Sequence, residues 1–115
     1  MSNLLAETKN ILENNSKKFE DIMWIGGDDF FTKENFEQIL DVDYDSGFGG
    51  QEIATNLKVV GDNWWLERHE YDGSEWWEFK EMPKEPKTYK AVFRVEGDGS
   101  WDSLEEINNK GLNKQ

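Results

Sequence analysis

The sequence predicts an α+β domain, in which an antiparallel sheet of four to five strands packs with an N-terminal, a middle and a C-terminal helix. Three observations predict this class. Residues 64–79 hold four of the six tryptophans around an Asp72-Gly73 pair, a strong signal for a β-hairpin at the centre of a meander. Neighbouring segments alternate apolar and polar residues as strands do. Apolar residues near both ends of the chain recur at helical spacing.

The Asp72-Gly73 pair fixes the register of this Trp-rich hairpin. A type I′ turn needs positive φ at both central residues, which glycine adopts freely and aspartate tolerates. Counting outward places Glu67 opposite Glu78 and makes side chains alternate between two faces. The face that we expect in the core carries Trp64, Leu66, Arg68, Trp77 and Phe79. The other face carries Trp65, Glu67, His69, Tyr71, Trp76, Glu78 and Lys80.

Two interpretations of that second face stay open. In the first interpretation, a helix or strand covers the aromatic rings of this face, because large aromatic side chains are mostly buried in small domains. Alternatively, the rings form an exposed recognition patch. The Glu67–Glu78 pair is repulsive across the strands, which favours solvent, a cation or a basic partner at this face.

The N-terminal half is predicted to supply two helices and a short strand. Ser2 caps a first helix that ends near Lys18. Residues 21–25 form a buried strand that ends at two glycines. Thr32 caps a second helix through Leu40, because a threonine side chain can accept a hydrogen bond from the first helical turn.

The C-terminal half is predicted to complete the sheet and to end in a helix. Residues 53–60 form a strand, and residues 61–63 form the turn that leads into the hairpin. After a proline-marked connector, the alternation over residues 89–95 predicts a last strand. Ser100 or Asp102 opens the terminal helix.

Length and composition predict one domain over residues 1–115, with residues 111–115 as a frayed tail. The 115 residues include no cysteine, which excludes disulfides and thiolate metal sites. We find no apolar run of about 18 residues and no secretory signal, so we expect a cytoplasmic protein.

Charge is the strongest compositional feature. The chain has 25 acidic and 13 basic residues, for a net charge of −12. Residues 19–52 hold ten of the acids and a single lysine. Such a field repels nucleic acids and anionic membranes and steers the protein toward basic protein surfaces. The alternative is that the charge serves only solubility.

Residues 41–52, DVDYDSGFGGQE, partly match a calcium loop of the EF-hand kind. Asp41, Asp43, Asp45 and Glu52 occupy positions 1, 3, 5 and 12 of that loop. Against the match, Ser46 stands where the sharp turn needs glycine, and the residues that follow alternate like a strand. The alternative is a flexible acidic turn without metal, and we expect no cofactor.

No pattern predicts catalysis. The lone histidine, His69, lies on a strand beside charged neighbours and cannot supply the paired ligands of a helical zinc site. The two glycines after the first strand lack the lysine of a phosphate-binding loop. We therefore expect no catalytic residues and a protein that is not an enzyme.

The stretch over residues 43–86, above all YDSGFGGQEI followed by WWLERHEYDGSEWWEF, resembles short acidic proteins encoded by phages and prophages of Gram-positive bacteria. The resemblance implies a genetic context and the cytoplasm of a host cell. Small acidic phage proteins often occupy host or defence proteins, including nucleic-acid-binding grooves, as anti-CRISPR and anti-restriction inhibitors do. The resemblance therefore favours a nucleic-acid mimic that binds a basic, nucleic-acid-acting protein. We expect such a mimic to contact neither nucleic acid nor membrane.

In this hypothesis the partner is contacted by surface carboxylates and aromatic rings. We expect these to be Asp28, Asp29, Asp41, Asp43, Asp45, Glu67, Glu70, Asp72, Glu75, Glu78, Trp65, Tyr71 and Trp76. The main alternative is a small phage structural or assembly protein that forms a homo-oligomer through the aromatic sheet face. A calcium-binding module is the third hypothesis.

Overall fold

A computed structural model describes residues 1–47, 49–88 and 90–113 and confirms the α+β class. The helices of the described residues are α1 (Leu4–Asn14), α2 (Phe36–Leu40) and α3 (Leu104–Asn113). The strands are β1 (Ser2–Asn3), β2 (Trp24–Gly26), β3 (Phe31–Thr32), β4 (Asp43–Tyr44), β5 (Lys58–Val60), β6 (Trp64–Tyr71) and β7 (Ser74–Glu81).

The chain divides into two compact units, Met1–Pro83 and Lys84–Gln115. In the first unit, the main sheet has the antiparallel strand order β3-β2-β5-β6-β7, and β1 pairs separately with β4. The prediction of a single domain stays a prediction.

The register predicted for the β6–β7 hairpin is confirmed. Glu67 lies opposite Glu78, and Asp72 and Gly73 form the loop with φ of 50° and 86°. The predicted core face is buried apart from Phe79, which is half-buried and stacks on Trp64 at a centroid distance of 6.0 Å. The alternation of side chains thus separates the two faces as the sequence predicts.

A second hairpin, β2–β3, lies where no strand pair was predicted. Its two-residue loop is Asp28-Asp29, and Gly27 N–H donates to Phe30 O at 2.8 Å. A Cβ at Gly26 would lie 2.4 Å from Phe30 O, so this tight pairing requires glycine. The predicted cap at Thr32 is therefore wrong, because Thr32 lies in β3.

The first helix is shorter at both ends than predicted. Asn3, not Ser2, is the N-cap, and its Oδ1 accepts from Ala6 N–H at 2.9 Å. At the C-terminal end, Ser16 adopts φ of 59°, and Lys17 N–H donates to Leu12 O at 2.9 Å. This left-handed closure ends the helix before Lys18, near which it was predicted to end.

The predicted strand over residues 53–60 is also shorter in the structure. Only Lys58–Val60 pairs as β5, while Leu57 N–H donates to Ala54 O in a turn. The strand predicted over residues 21–25 begins later, since Phe19–Asp21 forms a 3₁₀ turn before β2.

In the second unit, the predicted last strand is wrong for residues 90–95, and Tyr89 lies outside the described residues. Instead, Asn108 Oδ1 accepts from Phe93 N–H at 2.7 Å and from Arg94 N–H at 3.1 Å, which connects this segment to α3. Alternation of apolar and polar residues does not by itself make a strand, because a strand also needs a neighbouring strand with which to form hydrogen bonds.

Ser103, rather than Ser100 or Asp102, begins α3. Its Oγ accepts from Glu106 N–H at 3.2 Å, while Glu106 Oε1 accepts from Ser103 N–H at 3.2 Å. This reciprocal pair is a capping box. The helix runs to Asn113, and residues 114–115 lie outside the described residues. The frayed tail over residues 111–115 stays a prediction.

A buried polar network joins the hairpin to the rest of the first unit. Arg68 Nη2 donates to Glu75 Oε1 at 2.7 Å and to the Tyr44 hydroxyl at 3.0 Å. The guanidinium lies 4.8 Å from the centroid of the Trp77 ring, in a cation–π contact. Trp77 Nε1 donates to Thr8 Oγ1 at 2.9 Å, which attaches α1 to β7.

Glu75 also connects this network to the segment of residues 46–53. Its carboxylate accepts from Glu52 N–H at 2.7 Å and from Ile53 N–H at 3.4 Å. Its own N–H donates to Ser46 O at 3.1 Å. One buried carboxylate therefore holds Arg68 and the chain that leads into β5.

We expect Glu75→Ala to destabilise the protein by about 3–5 kcal/mol, because it leaves the Arg68 charge buried without its partner. Urea unfolding measures the change, with Glu70→Ala at the exposed opposite position as control. The double variant Arg68→Met with Glu75→Gln should recover most of the loss, since no buried charge remains. A Glu75→Ala variant as stable as the control would contradict the assignment.

Burial, together with a hydrogen bond to Glu7, raises the pKa of Tyr44 to about 12 from its ordinary value of 10.0. Because the pKa is higher in the folded state, this contribution to stability is complete below pH 10 and is lost as the pH rises toward 12. Tyrosinate absorbance in an alkaline titration, compared with Tyr44→Phe, should show one late ionisation missing from the variant. If the ionisation missing from the variant lies near pH 10 instead, Tyr44 ionises like an exposed tyrosine and the assignment is wrong.

Candidate functional site

The second face of the β6–β7 hairpin is accessible along its length, and we call it the outer face. It comprises Trp65, Glu67, His69, Tyr71, Trp76, Glu78 and Lys80. Tyr71 is 76% exposed and Trp76 is 36% exposed, while the other five side chains are half-buried. This exposure supports the interpretation as a recognition patch over the one in which another element covers the rings.

Each tryptophan of the outer face donates a hydrogen bond to the glutamate that lies two residues further along the same strand. Trp65 Nε1 donates to Glu67 Oε1 at 2.7 Å, and Trp76 Nε1 donates to Glu78 Oε2 at 3.0 Å. Residues i and i+2 of a strand share a face, so each indole reaches its carboxylate without crossing to the other strand. The result is a pair of ordered carboxylates beside aromatic rings.

Two basic side chains complete this arrangement. His69 Nε2 lies 2.7 Å from the second oxygen of Glu67, and Lys80 Nζ lies 4.0 Å from Glu78 Oε1. Each of the two opposed carboxylates, Glu67 and Glu78, therefore has a nitrogen atom of its own strand as a neighbour. The spacing that placed these residues on one face was visible in the sequence, but the hydrogen bonds were not.

The hydrogen bond from Trp65, followed by the one from His69, lowers the pKa of the Glu67 carboxyl group. A hydrogen bond that is donated to the ionised carboxylate stabilises it relative to the neutral acid. Glu67 therefore keeps its negative charge to a lower pH than an ordinary glutamate does.

Glu75 does not belong to the predicted binding surface. It is 5% exposed and is committed to Arg68, whereas Glu70 and Asp72 lie exposed at the end of the hairpin. The same alternation that buries Trp77 also places Glu75 on the core face, so this correction could have been made from the sequence.

The other predicted carboxylates lie in two separate places. Asp28 and Asp29 form the β2–β3 loop, at the edge of the main sheet opposite β7. Asp41 and Asp43 both accept from the Asn3 side-chain amide, at 3.0 and 2.8 Å. The predicted site residues therefore do not form one continuous surface.

The calcium hypothesis for residues 41–52 is not supported by their geometry. Asp43 lies in strand β4, Asp45 Oδ1 accepts from Gly47 N–H, and Glu52 Oε2 accepts from Asp45 N–H. Across the described ranges, no group of three or more His, Cys, Asp or Glu side chains could hold a metal ion. Asp43 and Tyr44 pair with β1, so these two residues lie in a strand and not in the loop that the spacing predicted.

The chain matches no protein-family model, and the comparisons with curated proteins and with solved structures found no match. The resemblance to phage proteins therefore stays a prediction. In the part of the chain that the structure describes, no helix has the length and apolar character to cross a membrane.

The two adjacent tryptophans of β7 should differ in their effect on stability. Trp77→Ala removes a ring that is 4% exposed and bonded to Thr8, so we expect a loss of about 3–5 kcal/mol. Trp76→Ala, on the outer face, should cost about 1 kcal/mol or less. Chemical denaturation of both variants checks this order. Equal losses would mean that the outer face is packed like the core.

Proposed function

We propose that this chain is a non-enzymatic binding protein whose outer face binds a basic protein surface and excludes nucleic acid from it. The observation that carries the proposal is the pair of indole–carboxylate hydrogen bonds, Trp65 to Glu67 and Trp76 to Glu78. They place two oriented anions next to accessible aromatic rings.

Such a surface suits arginine and lysine side chains. A carboxylate accepts two parallel hydrogen bonds from a guanidinium, and an aromatic ring attracts the same cation over its face. Because the carboxylates are already held by the indoles, less side-chain freedom is lost on binding. Tyr71 and Trp76 supply the apolar area expected of an interface hot spot.

The net charge of −12 favours the same class of partner. It repels nucleic acid and accelerates encounter with a positively charged protein. A basic groove that binds phosphates can accept carboxylates in their place, which makes a nucleic-acid-acting enzyme the proposed partner. The resemblance to phage proteins supports a host or defence protein in the cytoplasm of the infected cell.

Self-association as a phage assembly component is the second candidate, and the 76% exposure of Tyr71 is the observation that favours it. A symmetric contact would bring the outer-face carboxylates of two copies together. That repulsion is absent with a basic partner, so we rank self-association lower. Light scattering after size-exclusion chromatography distinguishes a monomer from a stable oligomer.

We predict that the immobilised protein captures a basic, nucleic-acid-binding protein from a lysate of its host. With that protein purified, affinity should fall steeply between about 50 and 500 mM NaCl, because the contacts are ionic. Double-stranded DNA should compete. Trp76→Ala should weaken binding by about 30-fold or more, as for a hot spot of about 2 kcal/mol.

The matched control is Trp101→Ala, a tryptophan that is 98% exposed in the second unit. It should leave affinity unchanged. Capture that resists salt and DNA, or equal losses for Trp76→Ala and Trp101→Ala, would contradict the proposed surface. Circular dichroism of both variants verifies that they are folded.

A further inference from the structure

A groove lies at the other edge of the main sheet from the Trp-rich hairpin. It is formed by the β2–β3 hairpin, the C-terminal part of α2 and residues 54–57, and its volume is about 550 Å³. The apolar or backbone surfaces that line it include Gly26, Gly27, Phe30, Phe31, Ile39 and Leu57.

Three apolar side chains of this groove face solvent. Phe30 is 86% exposed, Phe31 is 64% exposed and Ile39 is 43% exposed. Contiguous exposed apolar surface is unfavourable in water and commonly marks a binding site. Here it lies in a concave setting, where an apolar side chain of a ligand could be enclosed on several sides.

The groove carries only negative charge. Asp28 and Asp29 line it, and no Lys, Arg or His is among its described lining residues. Asn56 Nδ2 donates to Asp28 Oδ2 at 3.2 Å and so fixes one carboxylate. A ligand that complements this site combines an apolar group with an adjacent cation.

The backbone of the β2–β3 hairpin and the Phe31 ring are held in place by the fold. Gly26 packs against the Phe30 carbonyl without room for a Cβ, and Gly27 N–H closes the loop onto Phe30 O. The Trp24 ring meets Phe31 edge to face at a centroid distance of 6.1 Å. A site that is formed before binding loses less entropy when the ligand enters.

We propose that this groove binds a short peptide segment in which an aromatic or aliphatic side chain is flanked by lysine or arginine. The apolar side chain occupies the space between Phe30, Phe31 and Ile39. The flanking cations pair with Asp28 and Asp29. This site shares no residue with the outer face, so it stands or fails independently of the proposed function.

Amide NMR of the ¹⁵N-labelled protein tests the site with three synthetic peptides, KKFLKK, EEFLEE and KKGGKK, each acetylated and amidated. KKFLKK should shift the Gly26 and Gly27 signals saturably. The other two should bind at least about tenfold more weakly, because each lacks one of the two required features. Equal binding of KKGGKK, shifts confined to β6 and β7, or no saturation would overturn the proposal.

Two exposed substitutions locate the binding. Phe30→Ala removes a groove wall and Asp29→Asn removes one charge, and each should lower the affinity for KKFLKK at least about fivefold. Phe93→Ala, which alters a 69% exposed ring of the second unit, is the matched control and should have no effect. Affinity unchanged in Phe30→Ala, or reduced equally by the control, would place the peptide elsewhere.

Discussion

The ion pair between Arg68 and Glu75 is the interaction on which the first unit depends, because it buries two full charges, with side chains 0% and 1% exposed. Charges in the core are tolerated only when they are paired and hydrogen-bonded. Arg68 Nε and Nη1 have no hydrogen-bond partner among the described residues. The Tyr44 and Trp77 rings lie against the guanidinium instead, and Glu7 lies 3.7 Å from Nη1.

This buried pair also fixes what the hairpin presents to solvent. With Arg68 and Trp77 held inward, alternation forces Glu67, His69, Trp76 and Glu78 outward. A one-residue slip of either strand would expose the core ring and bury a carboxylate, so the register is strongly specified. The buried inner face and the accessible outer face are therefore two consequences of the β6–β7 pairing.

The sequence was most informative where a local rule had one solution. Asp72-Gly73 determined the pairing of β6 with β7 because few residues accept positive φ. The sequence was misleading at β2–β3, because the Asp28-Asp29 loop lacks such a signal. It was also misleading over residues 90–95, where the alternation has no paired strand among the described residues. The alternation of side chains along each strand predicted which residues lie on the outer face. The hydrogen bonds between its indoles and carboxylates could not be predicted, because they depend on side-chain rotamers. Contacts between residues distant in sequence could not be predicted either. The Asn3 side-chain amide, for example, donates hydrogen bonds to Asp41 and Asp43 at the start of the acidic segment 41–52.

The indole N–H signals of the six tryptophans test the binding surface most directly, because the two faces of the hairpin carry different tryptophans. The captured basic protein, purified and added to the ¹⁵N-labelled chain, should shift the indole signals of Trp65 and Trp76. Trp64 and Trp77, which are buried, should keep theirs. Shifts confined to the buried pair, or to Trp24 and Trp101, would contradict binding through the outer face.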